Sequence, residues 1–478
     1  MRATVYVVCR AAILAAYAKA LYRFDGYLGG PVHVGAPKPV SLNLNVRGMG
    51  QSATLEIKEK CRALRDEGRR VYDFGLGQSP FPVPAGVVEA LRVAAPEKDY
   101  LPVKGLPALR EAVAAYHRKK DDVDAHADGV IVGPGSKELM FLLQLVYYGE
   151  IILTTPCWVT YWPQARIIGR RISLIHTDYE THWKTDAERL EQSFTSVGDD
   201  FRPRLLVMNY PANPTGQTYG ELELRDIAEV LRKYEVIVMS DEIYGQLHFK
   251  GEHTSIARFY PEGTIVSSGL SKWCGAGGWR LGTFTFPRNL DWLVNAMAAV
   301  ASETYTSVCA PVQYAAIQAF QCGVDIERYL WHARRVLAWI AGQSTAILGA
   351  AGIRVHPPAA GFYLYLDFSR IAAGMASRGI DSGRSLCQRL LDETGVAILP
   401  GDAFGRSRGD LTARLAFVDF DGAKAMAESE TVPLDCPPPE SLLRRCCGHL
   451  LEGVQRIADW ARTEPLPERT ESYSRAET

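Results

Sequence analysis

Thr264-Ile265-Val266-Ser267-Ser268-Gly269-Leu270-Ser271-Lys272-Trp273-Cys274-Gly275-Ala276-Gly277-Gly278-Trp279-Arg280-Leu281-Gly282 is the stretch from which the rest of the chain can be read. Its first residues have the short, apolar, β-branched character of a buried strand. A lysine stands at the mouth of that strand, and a glycine-rich turn leads from it to an arginine. The pair suits a small molecule with a carbonyl at one end and a phosphate at the other. The lysine amine condenses with the carbonyl, and the guanidinium, planar and always charged, pairs with the phosphate. A lone Ser-Lys in a surface loop carries no such meaning, so the reading depends on what accompanies it.

Pyridoxal phosphate has both groups, and four further segments supply parts that it requires. Asn209-Tyr210-Pro211-Ala212-Asn213-Pro214-Thr215-Gly216 is a turn rich in asparagine and proline. Val236-Ile237-Val238-Met239-Ser240-Asp241-Glu242-Ile243-Tyr244 is an apolar strand that delivers Asp241 and Tyr244. Val130-Ile131-Val132-Gly133-Pro134-Gly135-Ser136-Lys137-Glu138 reads as strand, glycine turn and helix start. Ala413-Arg414-Leu415-Ala416-Phe417 puts an arginine in an apolar strand. In the order and rough spacing of these motifs, from about Gln51 to about Trp460, the chain resembles the class I and II aminotransferases. These are the aspartate aminotransferase-like pyridoxal phosphate enzymes of fold type I.

The chemistry assigns some residues directly. Pyridoxal phosphate is an electron sink only while its ring nitrogen stays protonated, and a carboxylate at that nitrogen favours the charged form. Asp241 is the candidate. A phosphate is best held at a helix N-terminus, where free N–H groups and the dipole favour an anion, so Gly135, Ser136 and Lys137 are expected to hold it together with Arg280. Arg414 is the fork that pairs with a substrate α-carboxylate. The resemblance implies more. It puts Tyr244 and Asn213 at the cofactor's phenolate oxygen, Trp158 against its ring, and the Gly77 backbone N–H at the α-carboxylate. It also implies a homodimer in which Tyr100 and the Tyr305 to Ser307 loop reach the partner's site. Lys272 would carry the Schiff base and, once freed by the amine substrate, act as general base in a ping-pong transfer between an L-amino acid and a 2-oxo acid.

A chain of 478 residues is too long for one compact core and implies at least two domains. Apolar segments at Val130–Val132, Ile151–Leu153, Ile172–Ile175, Leu205–Met208, Val236–Met239, Thr264–Ser267 and Thr283–Phe286 alternate with helical stretches. The fold class expected is therefore α/β: a large domain with a mostly parallel sheet flanked by helices, plus a smaller α/β domain. The smaller unit takes the strands Gly361–Leu366, Val396–Leu399 and Arg414–Val418, and a final helix from Leu442 to Trp460. The expected boundaries are 85–329 for the large domain and 41–84 with 330–464 for the small one, with an extension over 1–40 and a tail over 465–478.

With 53 basic and 54 acidic residues the chain has no electrostatic footprint for nucleic acid. Ten cysteines without CxxC or paired metal spacing argue for reduced thiols and no metal site. The expected compartment is the cytoplasm, with no membrane partner. The alternative is mitochondrial, because Met1 to Phe24 carries Arg2, Arg10, Lys19 and Arg23 and no acid, as a transit peptide does.

The same cofactor-holding residues would serve a lyase, decarboxylase or synthase of this fold. A cofactor-binding regulator is disfavoured because the N-terminal extension is too short and too weakly basic for a DNA-binding domain. The donor expected is a neutral amino acid. Aspartate-specific members of the family carry an arginine a few residues before the interface serine, and Ala301-Ser302-Glu303-Thr304-Tyr305-Thr306-Ser307 has none there, with Glu303 near its place. Against this, Lys137 lies in the segment that supplies a substrate-reading lysine in another branch of the family.

Overall fold

The computed structural model describes residues 42–195 and 203–462. The N-terminal extension up to residue 41, with its targeting alternative, and the tail from 463 lie outside the described residues. The chain divides into two units, 1–50 and 51–478. In the first, residues 43–49 form a turn in which the Asn43 carbonyl accepts from the N–H groups of Val46 and Arg47.

The second unit holds a seven-stranded sheet. Its strands in chain order are β2 (Val130–Gly133), β3 (Glu150–Thr155), β4 (Ile172–His176), β5 (Arg204–Asn209), β6 (Ile237–Asp241), β7 (Thr264–Gly269) and β8 (Gly282–Thr285). A short strand, β1 (Tyr72–Asp73), precedes them. The spatial order is β2-β8-β7-β6-β5-β3-β4. Neighbours are parallel except at β8, which runs antiparallel to both β7 and β2. The seven apolar segments of the sequence are these seven strands.

Strand period explains how the sheet is covered. Alternate residues point to opposite faces. Ile151, Leu153, Leu205, Val207, Ile237 and Met239 pack on one side, against Leu139, Met140 and Leu143 of helix Ser136–Val146 and Leu293, Val294 and Met297 of helix Asp291–Glu303. Ile152, Leu206, Met208 and Val238 pack on the other, against Leu224, Ile227, Ala228 and Leu231 of helix Glu221–Lys233. That last set has the i, i+3, i+4, i+7 spacing of one helical face. Burial on both faces is why the central strands read as continuous apolar runs rather than alternating ones.

The smaller strands are β9 (Tyr363–Asp367), β10 (Val396–Ala397), β11 (Leu399–Pro400) and β12 (Thr412–Ala416). β11, β12 and β9 form an antiparallel sheet, and β10 pairs in parallel with β1. The stretch Val396 to Leu399, expected as one strand, is thus two, broken at the buried Ile398. One side of the break pairs with Tyr72 and the other with Arg414, so the chain changes sheets there. The final helix runs Glu440–Arg462. No helix of the described residues is long and apolar enough to cross a membrane.

Three glycines lie in register at one end of the large sheet, with Gly282 opposite both Gly133 and Gly269. A Cβ on Gly282 would stand 2.1 Å from the Ser136 nitrogen and 2.5 Å from the Gly135 carbonyl carbon. The bare backbone there is what lets the start of helix Ser136–Val146 lie against the sheet. Gly282→Ala is therefore expected to destabilise the protein by about 3 kcal/mol, the scale of overpacking against backbone that cannot yield. Gly278→Ala, where a Cβ meets nothing within 4 Å, should leave stability unchanged. Urea denaturation of the two variants checks the pair, and equal midpoints would contradict it.

Candidate active site

The parallel strands β3, β5, β6 and β7 end on the same edge of the sheet, and β2 ends and β8 begins there too. Side chains just beyond strand ends converge on that edge, as ligand sites on such sheets do. Asn209, Asp241 and Ser267 stand opposite one another across β5, β6 and β7.

Asp241 is 3% exposed. The Tyr161 hydroxyl donates to its Oδ2 at 2.6 Å and the Ser267 hydroxyl to its Oδ1 at 3.1 Å. Asn209 Nδ2 donates to its backbone carbonyl at 2.8 Å. Burial pushes the carboxyl up to about 6, against the pull of these donors and of the nearby Lys272 ammonium.

Lys272 follows β7. Its Nζ donates to the Gly77 carbonyl at 2.8 Å and lies 5.6 Å from the centre of the Tyr244 ring. Burial of the amine, and next the Arg414 guanidinium, lower its pKa to about 8, while Asp241 opposes the shift. A neutral fraction is then available near neutral pH, which a nucleophile or base needs.

Arg414, on β12, is 1% exposed. Its Nη1 donates to Asn213 Oδ1 at 3.2 Å and its Nη2 to the Gly75 carbonyl, while Nε is buried without a partner. Among the described residues no carboxylate lies within ion-pair distance of Arg414, Lys272, Arg280 or Lys137. A buried guanidinium in that condition favours an anionic ligand.

The turn before helix Ser136–Val146 has Gly135 at φ +90°, and a Cβ there would lie 2.1 Å from Arg280 Nη2. Arg280 itself takes the left-handed conformation, φ 57°, rare for a residue with a side chain and common where function demands it. Its guanidinium donates to the carbonyls of Gly277 and Pro134, so it sits across the helix start, whose first N–H groups have no preceding turn to pair with. Lys137 holds its ammonium 5.1 Å from the centre of the Trp158 ring, and Trp158 meets Tyr161 edge-to-face at 5.5 Å. Guanidinium, helix N-terminus and Ser136 hydroxyl make a donor set fit for a phosphate, beside a lysine and a buried carboxylate fit for the aldehyde and ring nitrogen of one molecule.

Lys272, Asp241, Tyr244, Asn213, Gly77 and Arg414 are thus brought together, with Gly135, Ser136, Lys137, Arg280 and Trp158 at the adjoining helix start. Tyr100 is not among them: it is 89% exposed. Sequence reasoning missed Tyr161 and Tyr363. Tyr363 Oη lies 2.8 Å from Tyr244 Oη, and a Cβ on Gly77 would come within 1.9 Å of it. The signal for Tyr161 was its place three residues after Trp158; for Tyr363 nothing marked it from a core aromatic.

Residues 69–418 match the family model for aminotransferases of class I and II. The chain is 32% identical over 372 residues to an aspartate aminotransferase of Bacillus sp. strain YM-2, covering 75% of this chain and 91% of the relative. It is 32% identical over 381 residues to the aspartate/prephenate aminotransferase of Thermus thermophilus, covering 77% and 93%. The solved aspartate aminotransferase of Thermus thermophilus with maleate superposes with a TM-score of 0.74 at 28% identity, over 87% of this chain and 99% of that one.

The raised carboxyl of Asp241 has a consequence for the protein without ligand. Its folded pKa, about 6, lies above the unfolded value of 3.8, so its contribution to stability is present below the unfolded pKa and lost as pH rises through the folded one. Asp241→Asn removes this titration. Between pH 4.5 and 7 the stability of the wild type relative to the variant should fall by about 2 kcal/mol. Urea denaturation of ligand-free protein at both pH values measures this, and a constant difference would contradict it.

Proposed function

We infer from the family to which the chain belongs, the aminotransferases of class I and II, that this aminotransferase moves an amino group between an L-amino acid and a 2-oxo acid with pyridoxal phosphate held on Lys272. The observation that carries the reading is a half-buried lysine of lowered pKa between a buried carboxylate and a buried guanidinium without a carboxylate partner among the described residues.

Bound, pyridoxal phosphate supplies a carbonyl to take the amino group and a ring to hold the electron pair left when the α-proton departs. The chain's own residues do the rest. Asp241, steadied by Tyr161 and Ser267, keeps the ring nitrogen protonated. Tyr244 and Asn213 would donate to the phenolate oxygen, Trp158 would lie against the ring, and Ser136, the helix start and Arg280 would hold the phosphate. Arg414 pairs with the substrate α-carboxylate, aided by the Gly77 backbone N–H. Lys272 would take the α-proton on Nζ, a role that its lowered pKa suits.

The division into domains at 85–329 and at 41–84 with 330–464 is supported by the sheets, since the seven-stranded one falls wholly inside the first range. A homodimer is supported by the exposure of Tyr100, a tyrosine that hydrogen-bonds to nothing among the described residues of its own chain. The cytoplasm remains the proposed compartment, in line with relatives from Bacillus and Thermus.

The donor is best read as a dicarboxylic amino acid. The expectation of a neutral donor rested on the missing arginine near Glu303, which is exposed and accepts from the Ser302 hydroxyl. Lys137 offers a cation beside Trp158 instead, and the two relatives carry aspartate in their names.

Borohydride reduction of the holoenzyme followed by peptide mapping should label Lys272, in a protein that sediments as a dimer. A label elsewhere, or none, would sink the assignment. For the donor, kcat/KM for aspartate should exceed that for leucine and phenylalanine, and Lys137→Ala should lower the aspartate value about tenfold or more while sparing the neutral donors. Preference for a neutral donor in the wild type would return the reading to the Glu303 argument.

A further inference from the structure

We propose that Tyr363 is a positioning residue of this site: its hydroxyl donates to the Tyr244 hydroxyl and so leaves the single proton of Tyr244 for the cofactor's phenolate oxygen. The inference rests on the pyridoxal phosphate reading and adds to it a residue that no assignment above gives a role.

The geometry is that of a two-phenol chain. Tyr363 opens β9, and its hydroxyl lies 2.8 Å from that of Tyr244, with both side chains buried. Each phenol has one hydrogen to give. If Tyr244 spends its own on Tyr363, nothing remains for the phenolate oxygen. If Tyr363 donates, Tyr244 accepts on one side and donates on the other, and the chain polarises towards the cofactor.

The surroundings decide the direction. The Arg414 guanidinium carbon lies 4.8 Å from the centre of the Tyr363 ring. Burial raises both phenols and Arg414 lowers both, but at Tyr363 Arg414 comes directly after burial, whereas at Tyr244 the neighbouring Tyr363 oxygen, which pushes the pKa up, outweighs it. Tyr363 is therefore the more acidic phenol and the better donor.

The position of Tyr363 also ties it to the reacting lysine. Its hydroxyl fills the space that a side chain at residue 77 would need, and the Gly77 carbonyl accepts from Lys272 Nζ. Around Lys272 and the two phenols the charged groups are Asp241, Arg414, Arg280 and Lys137. None of the three cations presents an acceptor for the Tyr363 proton, and Asp241 already accepts from Tyr161 and Ser267.

The test is a pH titration of the visible absorbance of the lysine-bound cofactor in the wild type, Tyr363→Phe, Tyr244→Phe and the double variant. A donor that favours the ionised phenolate lowers the apparent pKa of that band. Tyr363→Phe should raise it by about half to one unit, a change of about three- to tenfold in proton affinity. Tyr244→Phe should raise it further, and the double variant should match Tyr244→Phe alone, because Tyr363 acts through Tyr244. A band whose pKa does not move in Tyr363→Phe, whatever its melting temperature, would overturn the inference and leave the site reading intact. Equal, additive shifts in the double variant would also overturn it, since Tyr363 would then act on its own. A wild type without a lysine-bound visible band would overturn the site reading and this inference with it.

Discussion

Burial of unlike charges at one edge of the sheet is the constraint on which the rest of the molecule depends. Asp241 ends β6 and Lys272 follows the adjacent β7, and each is held in the less comfortable of its states by the same cause. Enclosure pushes the carboxyl up to about 6 and the amine down to about 8. Their attraction opposes both shifts without cancelling either. Arg414 adds a third charge, which depresses the lysine further and finds no carboxylate of its own among the described residues. Such a site is costly to the ligand-free fold, and an anionic cofactor and substrate relieve it. A preference for anions is thus built into the electrostatics before any shape is considered.

Holding those charges in place requires backbone to approach backbone, and glycines provide the clearance. At Gly282 the helix start comes within contact of β8; at Gly135 the Arg280 guanidinium lies across the turn; at Gly77 the Tyr363 hydroxyl occupies the place of a side chain. Each is a point where two parts of the site would be forced apart by one carbon atom. The glycine-rich character of the stretch from Gly269 to Gly282 therefore has a steric meaning beyond its turns, since Gly282, paired in register with Gly269, lets the start of helix Ser136–Val146 lie against the sheet.

What the sequence made legible follows from this. Strands covered on both faces read as unbroken apolar runs, so the seven strands and the mostly parallel character of their sheet, though not their order, could be placed by pattern, and strand ends then picked out Lys272, Asp241 and Asn213. Arg414 stood out because a charge in an apolar strand contradicts its surroundings unless it has a ligand. The break at Ile398 was not legible, because an apolar residue between two apolar pairs gives no sign that the chain leaves one sheet for another. Selectivity was read both ways, from an absent arginine near Glu303 and from Lys137, and the pattern alone did not show that Lys137 stands by the Trp158 ring. Neighbours in space that are far apart in the chain have no local signature.

The tyrosines show why a supporting layer escapes sequence reading. Tyr161, Tyr363 and Tyr210 are all buried, and each looks in the sequence like core filling. Their rings do fill the core, yet each hydroxyl meets a polar atom: Tyr161 that of Asp241, Tyr363 that of Tyr244, and Tyr210 the Glu242 carboxylate and the Ile256 N–H. A phenol is suited to this work because it extends an apolar surface up to the point where a hydrogen bond is needed and brings a single donor with it. A serine in the same places would leave a cavity, and a charged side chain would add to an already strained set of charges. The residues proposed to touch cofactor and substrate can be found by their chemistry, but the tyrosines hydrogen-bonded to them are hidden by filling the core at the same time.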